Sequence, residues 1–214
     1  MNLRRLRLSI LAALALAIFA VAVLKTFRAS EPSSPVLKTL SSFSLVDRNA
    51  EPFGTSDLEG HIWVASFIYS TCPGPCPLVV RALRGVDERL AEIPSLRIVS
   101  ISVDPDHDTP DVLEEYATTH AIPSGRWKLL TGDPDLVFAT IRENFLLGVG
   151  AARDMFPEGT EEAVIAAAIQ SDGPVAHSVR FALVDKKLNV RGYYKSTEID
   201  ELDRLVHDAR RLSR

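Results

Sequence analysis

The chain opens with a hydrophobic run that differs in kind from everything after it. Residues 8–24 are 17 positions with one polar member, Ser9, and Arg4, Arg5 and Arg7 stand before them. At about 1.5 Å per residue the run spans roughly 25 Å, close to the short limit for a transmembrane helix. Basic residues ahead of such a run hold the N-terminus in the cytoplasm, which puts the remainder of the chain outside. Ala20-Val21-Ala22 has the small-x-small form of a signal-peptidase site, so a cleaved leader is the alternative. Continuation of the run through Val23 and Leu24 to Lys25 favours an uncleaved anchor over residues 1–28. A lipoprotein anchor is excluded, because no cysteine lies near the end of the run. Residues 29–40 (ASEPSSPVLKTL) begin polar and rich in proline and serine, and read as a tether.

From residue 41 to 214 strand and helix signals alternate, the mark of one α/β domain with parallel strands. Residues 43–46 predict a short strand, followed by a turn at 47–50. Residues 62–69 (IWVASFIY) are almost unbroken apolar, as in a strand buried on both faces. Residues 77–91 change to a helical period, with Leu78, Leu83, Val86 and Leu90 three to five positions apart. A second buried strand is predicted at 97–103 (RIVSISV). Asp108-Thr109-Pro110 reads as a helix start, with Thr109 as cap and Pro110 at the first helical position, the helix running to about His120. A strand at 127–130 and a helix at 136–145 follow. Residues 147–176 show no clean period, although 161–169 have some helical character. Strands at 177–185 and 188–193 form a hairpin around Lys186-Lys187. The last element is an amphipathic helix over 198–212, with Ile199, Leu202, Leu205, Val206 and Ala209 on one face. The order is a β-hairpin, then β-α-β-α-β-α, then ββα. This is a thioredoxin-like layout: a central mixed sheet flanked by helices, with a cysteine pair where the first central strand meets its helix.

Charge narrows the partners. Arg4, Arg5, Arg7, Lys25 and Arg28 are the only charged residues among the first 28. Setting those five aside from the 24 basic residues leaves 19 against 28 acidic ones, a net of −9 for the rest. So acidic a domain repels phosphate backbones, which disfavours nucleic acid. A metal cation, or a protein with a basic face, is the better partner.

The chemistry-bearing residues are few. The two cysteines, Cys72 and Cys76, lie in Thr71-Cys72-Pro73-Gly74-Pro75-Cys76-Pro77. In an exported domain a structural disulfide is the plain reading. A bridge across so short a loop contributes little by chain entropy, and suits a bond that opens and closes. The pair enters a helix whose free N–H groups favour thiolate, the form that attacks and that binds metal. Two thiolates are too few for an iron–sulfur cluster, and zinc in a structural site asks for four protein ligands. Copper is satisfied by two sulfurs and one imidazole. Of the five histidines, His61, His107, His120 and His207 sit in turns, loops or helix surfaces where no function is required of them. His177 opens a strand directly after an irregular stretch, and taken alone is better read as a structural histidine than as a ligand. Asp104, at the carboxyl end of the second buried strand, is a candidate for orienting a ligand.

Three segments taken together resemble the Sco family, also called SCO1/SenC. They are FIYSTCPGPCPL at 67–78, ISVDPDHDTP at 101–110 and HSVRFALVD at 177–185, in family order, with the likeness covering about 40–212. The resemblance implies a thioredoxin-fold protein that binds copper and helps to assemble the copper site of cytochrome c oxidase. It places the copper ligands on Cys72, Cys76 and His177, with an N-terminal anchor and the domain outside the cytoplasmic membrane. It also implies a cuproprotein client, such as a cytochrome c oxidase subunit. Because no third cysteine is present to reopen a Cys72–Cys76 bond, an extracytoplasmic thiol reductant is a further expected partner. The rival reading is a thiol–disulfide oxidoreductase that reduces client cysteines before metal insertion. Its usual motif has two residues between the cysteines and a cis-proline facing them; here the spacer is three, and Ala176-His177 stands before the strand. A peroxide-scavenging relative is disfavoured, since no peroxidatic motif is present.

Overall fold

The computed structural model describes residues 35–72, 76–145, 150–151, 175–176 and 180–214, with Leu16 and Phe19 in addition. The chain divides into two units, Met1–Ser34 and Pro35–Arg214. In the first, Leu16 and Phe19 are helical and exposed. Among the described residues no helix is long and apolar enough to cross a membrane. The 8–24 run, apart from Leu16 and Phe19, lies outside them.

The second unit is built on an eight-stranded sheet. Its strands are β1 (Lys38–Thr39), β2 (Ser44–Asp47), β3 (Pro52–Gly54), β4 (Ile62–Ile68), β5 (Leu96–Ser102), β6 (Trp127–Thr131), β9 (Arg180–Val184) and β10 (Asn189–Lys195). A separate antiparallel pair joins β7 (Gly150–Ala151) to β8 (Val175–Ala176). The helices are α1 (Thr55–Leu58), α2 (Cys76–Arg89), α3 (Pro110–Thr119), α4 (Pro134–Phe145) and α5 (Ile199–Ser213). Strand order across the large sheet is β1-β10-β9-β4-β5-β6-β2-β3. The three central strands β4, β5 and β6 are parallel, and β9, β10 and β2 run against their neighbours. This is the mixed sheet flanked by helices that the sequence predicts, a thioredoxin-like α/β fold.

Alternation along β4 explains its apolar run. Ile62, Val64 and Ile68 face one layer, which holds Val79, Val80, Leu83 and Val86 of α2, Leu113 and Tyr116 of α3, and Leu205 and Val206 of α5. Trp63, Ala65 and Phe67 face the other, with Val137, Ile141 and Phe145 of α4. A strand covered on both sides has no solvent face to keep polar. Thr109 caps α3 as predicted, accepting the Val112 N–H at 3.4 Å, with Pro110 the first helical residue. The hairpin at Lys186-Lys187 closes because the Asp185 carboxylate accepts the N–H groups of Lys187 and Asn189 at 2.9 and 3.0 Å, and Leu188 adopts φ 60°.

Two features depart from the sequence reading. The end of the 29–40 tether belongs to the sheet: Lys38 and Thr39 pair with β10, Leu37 N–H donates to Val190 O, and Leu40 is buried. The hairpin β2–β3 is followed by α1, whose single turn leaves no readable period in the sequence.

Candidate metal and thiol site

Cys72 follows the carboxyl end of β4. After Ile68 and the buried Tyr69 the chain turns at Ser70-Thr71, and the Cys72 N–H donates to the Tyr69 carbonyl at 3.4 Å. Cys72 is half-buried and packs against the layer that holds Phe67 and Phe145. Cys76 is the first residue of α2. Residues 73–75 and the Cys76 side chain lie outside the described residues. The first turn of α2 carries no acidic residue, so its own side chains leave the partial positive charge of the helix start uncompensated.

The second wall of the site is the carboxyl end of β5, held to β4 by the Val103 N–H donating to Ile68 O at 2.8 Å. Asp104 follows, half-buried. Burial pushes its carboxyl above the usual aspartate value; the charge of Asp108 adds to this and His107 opposes it. The Asp104 N–H donates to Ser102 Oγ at 3.0 Å. Asp108, read from the sequence only as part of a helix start, is fully buried. Its carboxylate accepts the Ser70 N–H on both oxygens at 3.2 Å, the Ser70 hydroxyl, and the Ser102 hydroxyl at 2.5 Å. No periodic signal marks it, because its partners come from the ends of two strands that only the sheet order brings together.

Four of the five histidines fall among the described residues. His61 lies at the opposite, amino end of β4, with Nδ1 3.3 Å from Ser95 O. His120 closes α3, its ring 4.3 Å from that of Tyr116. His207 is exposed on α5. His107 is exposed at the rim of a cavity of about 290 Å³ that Ser70, Thr71 and His120 also line. His177 lies outside the described residues. Among the described residues no group of three or more histidine, cysteine, aspartate or glutamate side chains gathers to hold a metal ion.

Comparison with known proteins places this arrangement. The family model for SCO1/SenC matches residues 32–213. The SCO1 protein homolog of Bacillus subtilis is 26% identical over 180 residues, 84% of this chain and 85% of that protein. The structure of BsSco, a member of the Sco family of cytochrome c oxidase assembly proteins in which a disulfide switch was identified, superposes with a TM-score of 0.66. It is 25% identical, with 84% of this chain and 95% of that one covered. ScoI of Bradyrhizobium japonicum, solved with copper bound, shares the fold at 20% identity and a TM-score of 0.61, over 82% of this chain and 99% of that one. With nearly its whole length matched by one family pattern, and the cysteine loop set between β4 and α2, the chain belongs to the SCO1/SenC family.

Proposed function

We propose that this protein is a copper carrier. It holds one copper ion between the thiolates of Cys72 and Cys76 and the imidazole of His177, and passes it by ligand exchange to a cuproprotein outside the cytoplasmic membrane, the copper site of cytochrome c oxidase. The observation that carries the reading is the setting of the cysteines. One follows the carboxyl end of a central strand, the other starts the next helix, and soft sulfur donors there select copper. The copper-bound relative and the oxidase-assembly relative support both the metal and the client. Register supports His177. β9 runs antiparallel to β4, with Trp63 opposite Val184 and Ala65 opposite Ala182, so its amino end lies toward the carboxyl end of β4, where Cys72 follows. His177 precedes Arg180 by three residues, a reach of at most about 11 Å.

The membrane run at 8–24 makes the protein a single-pass anchor in this reading, with the domain on the extracytoplasmic side. A second reading, thiol–disulfide exchange with client cysteines, is favoured by the disulfide switch of the BsSco relative. The two are linked, because oxidation of Cys72 and Cys76 to a disulfide, with loss of two protons and two electrons, removes both thiolates. An extracytoplasmic thiol reductant must then restore them.

Anaerobic copper titration of the reduced 214-residue chain in detergent tests the reading. One copper per chain is expected, with a sulfur-to-copper charge-transfer band in the copper(II) form that is lost in Cys72→Ala and Cys76→Ala. A Cys76→Ala chain of undiminished affinity overturns the assignment. Resistance of the chain to alkaline extraction from membranes tests the anchor; its release refutes it.

A further inference from the structure

We propose that Asp108 is a positioning residue for the cysteine loop: its buried carboxylate holds Ser70 against the end of β5 and so sets the direction in which Cys72 leaves β4. The inference deepens the copper-carrier reading and rests on it only in its copper measurement.

A fully buried carboxylate is costly to desolvate and persists only where donors surround it. The donors here belong to two strand ends. Ser70 gives both its backbone N–H, shared between the two oxygens at 3.2 Å, and its hydroxyl. Ser102 gives its hydroxyl at 2.5 Å. The Ser102 oxygen in turn accepts the Asp104 N–H at 3.0 Å, and the Asp108 N–H donates to the Asp104 carbonyl at 2.8 Å. Loop 103–107 is thereby closed on itself, and Asp108 stands as a fixed fork just ahead of the α3 cap. Ser70 is two residues from Cys72. A sulfur ligand is directional, and the backbone two residues ahead of it decides where it points. Helix capping does not need this carboxylate, since Thr109 supplies the cap. Core packing does not need it either, since a charge is the wrong group for that. Holding Ser70 by two donors at once does need an acceptor that donates nothing back on that side.

The chemistry predicts how variants sort. Asparagine keeps the shape. Its carbonyl faces Ser70 and its amide N–H₂ faces the Ser102 oxygen, so the Ser70 clamp survives. Alanine leaves the Ser70 N–H without an acceptor. Ser70→Ala removes one of the two donors. Leu113→Ala, on the buried face of α3, lowers stability without removing a partner of the fork.

Two measurements on the full chain read the proposal. One is the equilibrium of the Cys72–Cys76 disulfide with glutathione: disulfide plus two glutathione thiols gives two protein thiols plus glutathione disulfide. The other is copper(I) affinity by competition with a chromogenic copper(I) chelator. Asp108→Ala is expected to move both constants by about tenfold, Ser70→Ala by less, and Asp108→Asn by under about threefold, the scale at which outer groups tune metal ligands. Leu113→Ala is expected to move neither. A folded Asp108→Ala chain matching wild type, or a Leu113→Ala chain shifted as far, overturns the proposal. Should Asp108→Ala not fold, Ser70→Ala decides, and its identity with wild type in both measurements is the refuting result. If wild type takes no copper but exchanges with glutathione, the carrier reading falls and the positioning role is still read from the glutathione equilibrium. A wild type that does neither sinks both.

Discussion

Ser100→Ala removes the middle of a buried polar chain that crosses three parallel strands. The indole N–H of Trp127 on β6 donates to Ser100 Oγ on β5 at 3.0 Å, and the hydroxyls of Ser100 and Ser66 on β4 lie 2.7 Å apart. All three residues are about 1% exposed, so water offers no substitute. Ser100 accepts from the indole; with its own proton pointed at Ser66, the expected arrangement, the chain runs in one direction. Alanine strands the indole N–H in a dry layer, at about 1–3 kcal/mol, and deprives Ser66 of a partner worth about 1 kcal/mol. The volume lost is one oxygen atom, so the cavity contribution is small. The expected loss is about 2–4 kcal/mol. Ser66→Ala strands only the Ser100 proton, about 1–2 kcal/mol. The double variant is expected to cost no more than Ser100→Ala alone, because Ser66 then has nothing left to lose. Denaturant midpoints of the reduced chain, with unchanged m, give these differences and a coupling energy of about 1–2 kcal/mol, the whole of the Ser66→Ala loss. Additivity of the two single losses, or a Ser100→Ala loss below about 0.5 kcal/mol, refutes the directional chain.

His177→Ala is expected to weaken copper(II) more than copper(I), since copper(I) tolerates two-coordinate sulfur and copper(II) gains from nitrogen donors; equal losses in a chelator competition count against ligation. Acid should destabilise the domain through Asp47 and Asp185. Burial pushes both carboxyls up, but Lys128 with the N–H groups of Asn49 and Glu51, and Arg191 with Asn189 and the Lys187 N–H, outweigh it and hold both below the usual 3.8. Their contribution is therefore complete above that value and drains as pH falls below it, so Asp47→Asn and Asp185→Asn should lower stability at pH 7 and flatten the acid limb of a denaturation series. Gly54→Ala should cost about 1–3 kcal/mol by thermal melting, because the added Cβ falls 2.1 Å from the Phe43 carbonyl oxygen.

The parts of the fold legible in the sequence are those where burial is two-sided or where one residue has one role. Residues 62–69 and 97–103 declared themselves because strands covered on both faces exclude charge, Arg97 at the partly exposed start of the second run being the exception. Thr109-Pro110 declared a helix start because a cap and a missing N–H have no better place. Lys38 and Thr39 did not, since an edge strand of two residues carries no period and stands beside proline and serine. Nor did Asp108. Its sequence neighbours are turn and cap residues, and its partners Ser70 and Ser102 are 38 and 6 positions away. A buried carboxylate is defined by which strand ends meet, and only the sheet order brings β4 beside β5 at that end. The cysteines were legible because their spacing is itself the chemistry.

The two edges of the large sheet bear on how another protein can approach. One is β1, two residues long, and the other is β3, three residues that begin with Pro52. Neither offers enough free main-chain groups for a partner to anneal as an added strand, and Pro52 has no N–H to give. A client that recognises this domain by its sheet therefore has no template to extend. In the carrier reading selectivity falls to side chains at the rim where β4 and β5 end, among them Thr71 and His107. Contact of that kind is read residue by residue and released as readily as it forms, as the proposed carrier role requires.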